Sequence, residues 1–410
     1  MLTEQAFRDL PIFMISMSRW DGDISSASWS LAKVFGRTNP TFYIDYPYTY
    51  ADVWRERKLP SVKKRMQALL HGNNFLNPIP DQPPLLMAAT PRAVLPLQSI
   101  PRGVLYNLIN HINNKAIASL IHKICALKGY KEFLFINSFN PVYLQELPKY
   151  LQPVLSVYQS RDAIEAISEN GLLGEITCVQ NYDLSIATST KLCENISNRT
   201  GKKVVHFPNG GDVTLFKTAI EKVLPRPKEL ENISGPIVGY TGAVCQRVDY
   251  ELLARLANDH TDKTIVMVGP RQDKKHSSIN LDEIPNIVLT GPKKLHELPA
   301  YLQYFDCAIL PFRYTTLTAG IYPLKINEYL AAGKAVVSTN FSNDVASFKE
   351  HIWLAQTHDD FSNAINTAIS QNDTALKLKR LAVATANSWE NRVQYFWQLA
   401  YSTYQSLNSK

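Results

Sequence analysis

The sequence has no Cys-x-x-Cys pair, no apolar run near the length of a membrane span and no low-complexity tract, and each absence removes a class of protein. Its five cysteines, Cys125, Cys178, Cys193, Cys245 and Cys307, are odd in number, scattered, and without a histidine at ligand spacing. That pattern argues against a structural zinc and for a reducing, cytoplasmic compartment. No stretch approaches the roughly 20 apolar residues a spanning helix needs. The opening residues carry Glu4 and Asp9 and no basic region before the short apolar run 12–17, so no secretory signal is expected. Nothing resembles the aromatic and basic motifs of RNA-binding folds, and nucleic acid is not an expected partner.

What is present is enough apolar material for large cores. Apolar residues make up 45% of the 410 and charged residues 19%, a composition of ordered globular domains. That length exceeds what one core usually supports, so two domains are expected. The net charge of +7 is concentrated locally. Between Arg55 and Arg65 six basic residues, Arg55, Arg57, Lys58, Lys63, Lys64 and Arg65, face the single acid Glu56. Such a run is either a solvated helix face or a patch for an anionic substrate or the inner membrane surface.

Strand signals alternate with helical ones in two series. The first has strands at 11–17, 41–44, 85–89, 133–136, 154–158, 184–187 and 204–207, with a helix at 27–35 and helical stretches between several strands. Residues 51–101, rich in Pro and Asn, are poorly periodic. The second series has strands at 236–240, 264–268, 287–289, 307–310 and 335–338, with helices at 250–257 and 295–304. Each series is α/β and reads as a doubly wound, Rossmann-like domain. Between them, 212–234 turns to Lys, Glu and Pro and reads as a linker. An aromatic-rich helix from Trp389 closes the chain. The expected division is 1–211, linker 212–234, 235–388, and 389–410 packing back on the first domain.

In open α/β sheets, ligands bind where strands end at their carboxyl edge. Three such places carry polar or glycine residues: Asp21, Gly22 and Asp23 after the first strand, Thr241, Gly242 and Ala243 after the first strand of the second series, and Gly269 after the next. A fourth segment runs from Tyr322 through Pro323, Leu324 and Lys325 into a short helix bearing Glu328. A helix N-terminus presents unpaired N–H groups and partial positive charge to phosphate. Lys325 and Glu328, three residues apart, share a helix face. The same spacing also suits an ordinary amphipathic helix before a core strand. Asp162, after the strand 154–158, is either a helix N-cap or a group that orients a substrate hydroxyl.

Taken in order, Phe207-Pro-Asn-Gly-Gly-Asp212, Gly239-Tyr-Thr-Gly-Ala243, Asp306-Cys-Ala-Ile-Leu-Pro311 and Pro323-Leu-Lys-Ile-Asn-Glu-Tyr-Leu-Ala-Ala-Gly333 resemble the GT-B glycosyltransferases of the large family 4 retaining group. The resemblance implies two Rossmann-like domains facing across a cleft, with a C-terminal helix crossing back. It implies a glycosyltransferase that moves a hexose from a nucleoside diphosphate sugar to a glycan or lipid-linked acceptor in bacterial surface polysaccharide synthesis. Glu328 would grip the ribose, Lys325 and Arg247 would neutralise the leaving diphosphate, and Asp162 would act on the acceptor. Gly22, Thr241, Gly242, Ala243, Gly269, Tyr322, Pro323 and Leu324 would line the donor. No metal or cofactor is implied. The family's second glutamate, eight residues before Glu328, is here Gly320. Residues 316–321 would then meet the sugar with hydroxyls and backbone N–H groups. A nucleotide-sugar epimerase of the same fold and a non-catalytic glycan-binding protein remain open alternatives.

Overall fold

In a computed structural model of the protein, residues 1–22, 26–97, 100–164, 169–272 and 276–409 are described. The chain divides into two compact units. The first comprises residues 1–188, 192–207 and 393–410, and the second 189–191 and 208–392.

The first unit is built on an eight-stranded sheet. Its strands are Ile12–Ser16 (β1), Thr41–Ile44 (β2), Leu76–Pro78 (β3), Leu86–Ala89 (β4), Leu134–Ser138 (β5), Leu155–Ser160 (β6), Leu184–Ala187 (β7) and Val205–His206 (β8), in the order β3-β4-β2-β1-β5-β6-β7-β8. All pairings are parallel except β3 with β4. A parallel sheet is covered on both faces, so its central strands are buried along their whole length, as in β1 and β5, where apolar residues lead and polar ones close the strand. Helix Val104–Lys128 covers one face with Ile117, Ile121 and Ile124, all fully buried. The segment 51–101, too irregular to parse by periodicity, holds short helices Tyr50–Glu56, Pro60–Lys63 and Met66–His71 together with β3 and β4. Within this unit the last helix packs Trp397 against Phe7 and Phe35, and Tyr395 against Phe207.

The second unit has six strands, Ile237–Thr241 (β9), Thr264–Val268 (β10), Ile287–Gly291 (β11), Cys307–Leu310 (β12), Val336–Thr339 (β13) and Trp353–Ala355 (β14). Their order β11-β10-β9-β12-β13-β14 is all parallel, and the direction of winding reverses between β9 and β12. That reversal opens a crevice at the carboxyl ends of β9 and β12. The segment 212–234, expected as a linker, packs into this unit instead. It forms short helices Val213–Phe216, Thr218–Glu221 and Lys228–Leu230, with Phe216 and Leu230 fully buried in the core. Gln303 holds it further by donating to the carbonyl of Ala219. Among the described residues no helix is long and apolar enough to cross a membrane.

Candidate functional site

The carboxyl ends of β9 and β10 are locked together through backbone alone. Val268 pairs with Thr241 in register, and the Gly242 N–H donates to the Val268 carbonyl at 2.8 Å. Beyond them, Val244 N–H donates to Pro270 O at 2.9 Å, and Gln272 N–H to Val244 O at 2.8 Å. Gly242 and Gly269 have φ of 153° and 155°. A Cβ on Gly269 would stand 2.0 Å from the Gly242 carbonyl oxygen, so the two turns can nest only because Gly269 has no side chain. The result is a sheet edge whose backbone a ligand can approach closely.

Helix Leu324–Ala331 packs its Ile326, Leu330 and Ala331 into the core and is tied to this edge by a side-chain hydrogen bond. Tyr329, fully buried, accepts from the Thr241 N–H at 2.8 Å. At the start of the helix no side chain caps Pro323, and Leu324 N–H turns back to Tyr322 O at 2.9 Å. The Tyr322 hydroxyl, nearly buried, accepts from Asn327 Nδ2 at 3.1 Å. Among the described residues the buried Asn327 Oδ1 has no hydrogen-bond partner. Glu328 is only 5% exposed, and Lys325 Nζ lies 2.8 Å from its Oε2. A carboxylate so buried requires such a partner. An ammonium has three N–H donors, so Lys325 can keep Glu328 and still meet an anion.

Arg247 stands on the loop leaving β9, at the winding reversal. Its carbonyl accepts from Arg313 N–H at 2.8 Å, its Nε donates to Cys245 Sγ at 3.3 Å, and its guanidinium lies 5.9 Å from the Phe312 ring centroid. Thr241, Gly242, Ala243, Gly269, Tyr322, Pro323, Leu324, Lys325, Glu328 and Arg247 therefore all belong to the second unit, at or beside one sheet edge. Gly320 ends helix Thr316–Ala319, and its carbonyl accepts from Ser189 Oγ at 2.8 Å. Of the hydroxyls expected to line the sugar, that of Thr318 is fully buried and donates to Arg313 O at 2.6 Å. It is occupied within the protein.

The first unit's candidates have different surroundings. Asp21 is bound to Arg65 at 2.8 Å and Lys64 at 2.5 Å. Burial alone would raise its pKa, but these two cations outweigh that and hold it below the usual carboxylate value. Gly22 makes a turn, with its N–H 3.1 Å from Arg19 O, and its φ is outside the left-handed region. Asp23 lies outside the described residues. Asp162 is exposed just past β6, next to Arg161, and most of the helix expected after it also lies outside the described residues. Among the described residues no cluster of three His, Cys, Asp or Glu could hold a metal.

Three of the six basic residues in the run 55–65 are paired with acids within the protein. Arg65, 4% exposed, bridges Asp45 at 2.7 Å and Asp21, while Arg55 pairs with Asp52. Sequence reading missed these pairings because Asp45 and Asp21 lie 20 and 44 residues before Arg65. It also missed Tyr329, whose partner Thr241 is 88 residues away.

Residues 235–371 match the family model described as Glycosyl transferases group 1. A Bacillus subtilis (strain 168) protein whose name assigns it to teichuronic acid biosynthesis as glycosyltransferase TuaH is 28% identical over 225 residues. The aligned stretch is 52% of this chain and 56% of that protein, so the match spans about half of each. Among solved structures, a sucrose-phosphate synthase from Thermosynechococcus elongatus superposes with a TM-score of 0.66 at 16% identity, over 97% of this chain and 100% of that one. The Anabaena protein HepE, solved in complex with UDP and glucose, gives 0.60 at 15% identity, over 95% and 99%. Likeness at these identities establishes the fold, two Rossmann-like units of the GT-B kind in one chain.

Proposed function

From the match of residues 235–371 to the glycosyl transferases group 1 model, we propose that the protein transfers a hexose from a nucleoside diphosphate sugar, UDP- or GDP-linked. The acceptor is a hydroxyl of a glycan or lipid-linked intermediate in bacterial surface polysaccharide synthesis, and the anomeric configuration is retained. One observation carries this reading. A buried carboxylate and its lysine stand on an uncapped helix start, next to a sheet edge formed by two close-packed glycines.

Each part suits one portion of a nucleotide sugar. Glu328 can accept two ribose hydroxyls at once, which a neutral side chain does less well. The backbone at Gly242 and Gly269 admits the diphosphate, and the partial positive charge at the start of helix Leu324–Ala331 favours its negative charge. Lys325 and Arg247 stabilise that diphosphate as it departs, the step at which most charge develops. Asp162 orients or deprotonates the acceptor hydroxyl. The pairing of HepE with UDP and glucose supports trying UDP-hexoses first. The name of the Bacillus subtilis relative supports a cell-surface polysaccharide as the product.

A thermal-shift panel of UDP, GDP, ADP and their sugars tests the donor, because a ligand stabilises the fold according to its occupancy. One nucleotide should raise Tm in the wild type and fail to do so in Glu328→Ala. No response to any of them would sink the reading. Lys325→Ala should lower transfer by more than about tenfold, since a lost charged hydrogen bond costs roughly 1.5 kcal/mol or more. Activity within about twofold of wild type would remove Lys325 from the mechanism.

A further inference from the structure

Helix Val104–Lys128 of the first unit carries no acidic residue along its 25 positions. Its inner face is core, but its outer face is a continuous stripe at helical spacing. Leu105, Leu108 and Ile112 come first, 60%, 57% and 48% exposed, followed by Lys115, Ser119 and Lys123. Steps of three and four residues keep all six on one side. At a rise of 1.5 Å per residue the stripe runs about 27 Å, apolar at one end and cationic at the other.

The cationic end opens into a cavity of about 360 Å³, lined among others by Phe75, Thr90, Arg92, Ile112, Lys115 and Lys123. None of the residues lining it is acidic. Arg92 is steered there by Gly72, whose φ of 67° and missing side chain leave room for the guanidinium; a Cβ would lie 2.7 Å from Arg92 Nε. The guanidinium also donates to His71 O at 2.8 Å. Lys123 Nζ stands 5.9 Å from the Phe75 ring centroid. Among the described residues no carboxylate pairs with Arg92, Lys115 or Lys123, in contrast to Arg65, Lys64 and Arg55 in the run 55–65. Ile112 belongs to both the apolar stripe and the cavity wall, so the two features are one surface.

We propose that this face docks on an anionic phospholipid surface, with a lipid phosphate in the Arg92, Lys115 and Lys123 cavity and Leu105, Leu108 and Ile112 entering the acyl boundary. The arrangement has both halves of such a ligand in the right order. Three uncompensated cations match a phosphate, and the adjoining exposed leucines and isoleucine match the chains below it. A water-soluble phosphate would use the cavity and leave the stripe idle. The membrane contact thereby moves from the run 55–65, where Arg55, Lys64 and Arg65 are committed to carboxylates of the protein itself, to helix Val104–Lys128.

Sedimentation of the full-length protein with vesicles tests this. Binding to vesicles containing phosphatidylglycerol, with little binding to pure phosphatidylcholine, is expected. Lys115→Glu combined with Lys123→Glu should weaken it by at least about thirtyfold, as each cation near an anionic surface contributes roughly fivefold. Leu105→Ser with Leu108→Ser should weaken binding while leaving its salt dependence in place. All substituted positions are exposed, and an unchanged Tm with an unchanged nucleotide response shows that both units are intact. That second readout separates failure of this proposal from failure of the donor reading. Equal binding by wild type and the lysine pair variant would overturn it. So would stabilisation by inorganic phosphate without any vesicle binding, which would mark a site for a free anion.

Discussion

The loop after β1 and the loop after β9 occupy the same place in two sheets of like design, yet they are held by opposite means. After β1, side chains do the fastening. Ser18 Oγ meets Ser16, Ser26 and Tyr43 at 2.8, 3.0 and 2.8 Å, and Asp21 is held by Arg65 and Lys64. After β9, the link to the neighbouring strand end is backbone, through Gly242 to Val268 and Val244 to Pro270, while the Tyr240 and Tyr250 hydroxyls only brace the loop by donating to the Ala243 and Cys245 carbonyls. A loop fastened by its side chains has committed them to the fold. A loop fastened by backbone keeps an open edge, and it is beside that edge that Glu328 and Lys325 stand.

Breaking the first kind of fastening should cost most. Arg65→Met would leave Asp45, fully buried, without its guanidinium and Asp21 without its main partner. Removing one member of a buried ion network costs about 3–5 kcal/mol. Denaturant unfolding should show that loss in the first unit, while nucleotide binding by the second unit is kept. A loss under about 1 kcal/mol would mean the network is not what holds the β1 loop.

The second kind is broken by adding a methyl group. Gly269→Ala places a Cβ 2.0 Å from the Gly242 carbonyl oxygen, and φ of 155° is unfavourable for alanine. Overpacking of this sort costs about 1–3 kcal/mol. Here stability and nucleotide affinity should fall together, because the displaced turn is also the ligand edge. Unchanged affinity in a destabilised protein would separate the interlock from the site.

A smaller effect comes from acid. Glu229 fastens segment 212–234 by accepting from Lys293 at 2.5 Å and Tyr301 at 2.7 Å. Partial burial would raise its pKa, but these hydrogen bonds outweigh that and bring it to about 2. Its ordinary value is 4.5. A folded-state pKa below the unfolded one gives stability that is complete above the unfolded value and lost as pH falls from 4.5 through about 2. The pair is partly exposed, so the contribution is about 1 kcal/mol or less. Unfolding followed between pH 5 and 2 should lose that component in Glu229→Gln.

What the sequence disclosed and what it hid follow from the same contrast between local and distant partners. The strands of the second sheet were legible because a parallel sheet covered on both faces demands unbroken apolar runs, as in 264–268 and 307–310. Lys325 and Glu328 were legible as a pair because three residues on a helix are one turn. Segment 212–234 was not, since its Pro, Lys and Glu mask the two side chains that matter, Phe216 and Leu230. The bounds of helix Val104–Lys128 were hidden because no side chain caps its start at Gly103. Arg65 read as surface charge because its partners come from elsewhere in the chain.

Gly22→Ala is the finest test, since it asks whether the glycine after β1 plays the part that Gly242 and Gly269 play after β9 and β10. Its φ is ordinary, and among the described residues a Cβ would meet only the Arg19 carbonyl oxygen, at 3.3 Å. A few tenths of an ångström of movement would relieve that contact. Alanine also lowers the entropy of the unfolded chain, worth about 0.4–1 kcal/mol in its favour. The two effects nearly cancel, so stability should change by less than about 1 kcal/mol and nucleotide affinity by less than twofold. A large loss of transfer with unchanged stability would instead mean that substrate comes close enough to Gly22 to exclude a methyl group. The loop after β1 would then be a second open edge despite its side-chain fastenings, and the contrast between the two loops would have to be redrawn.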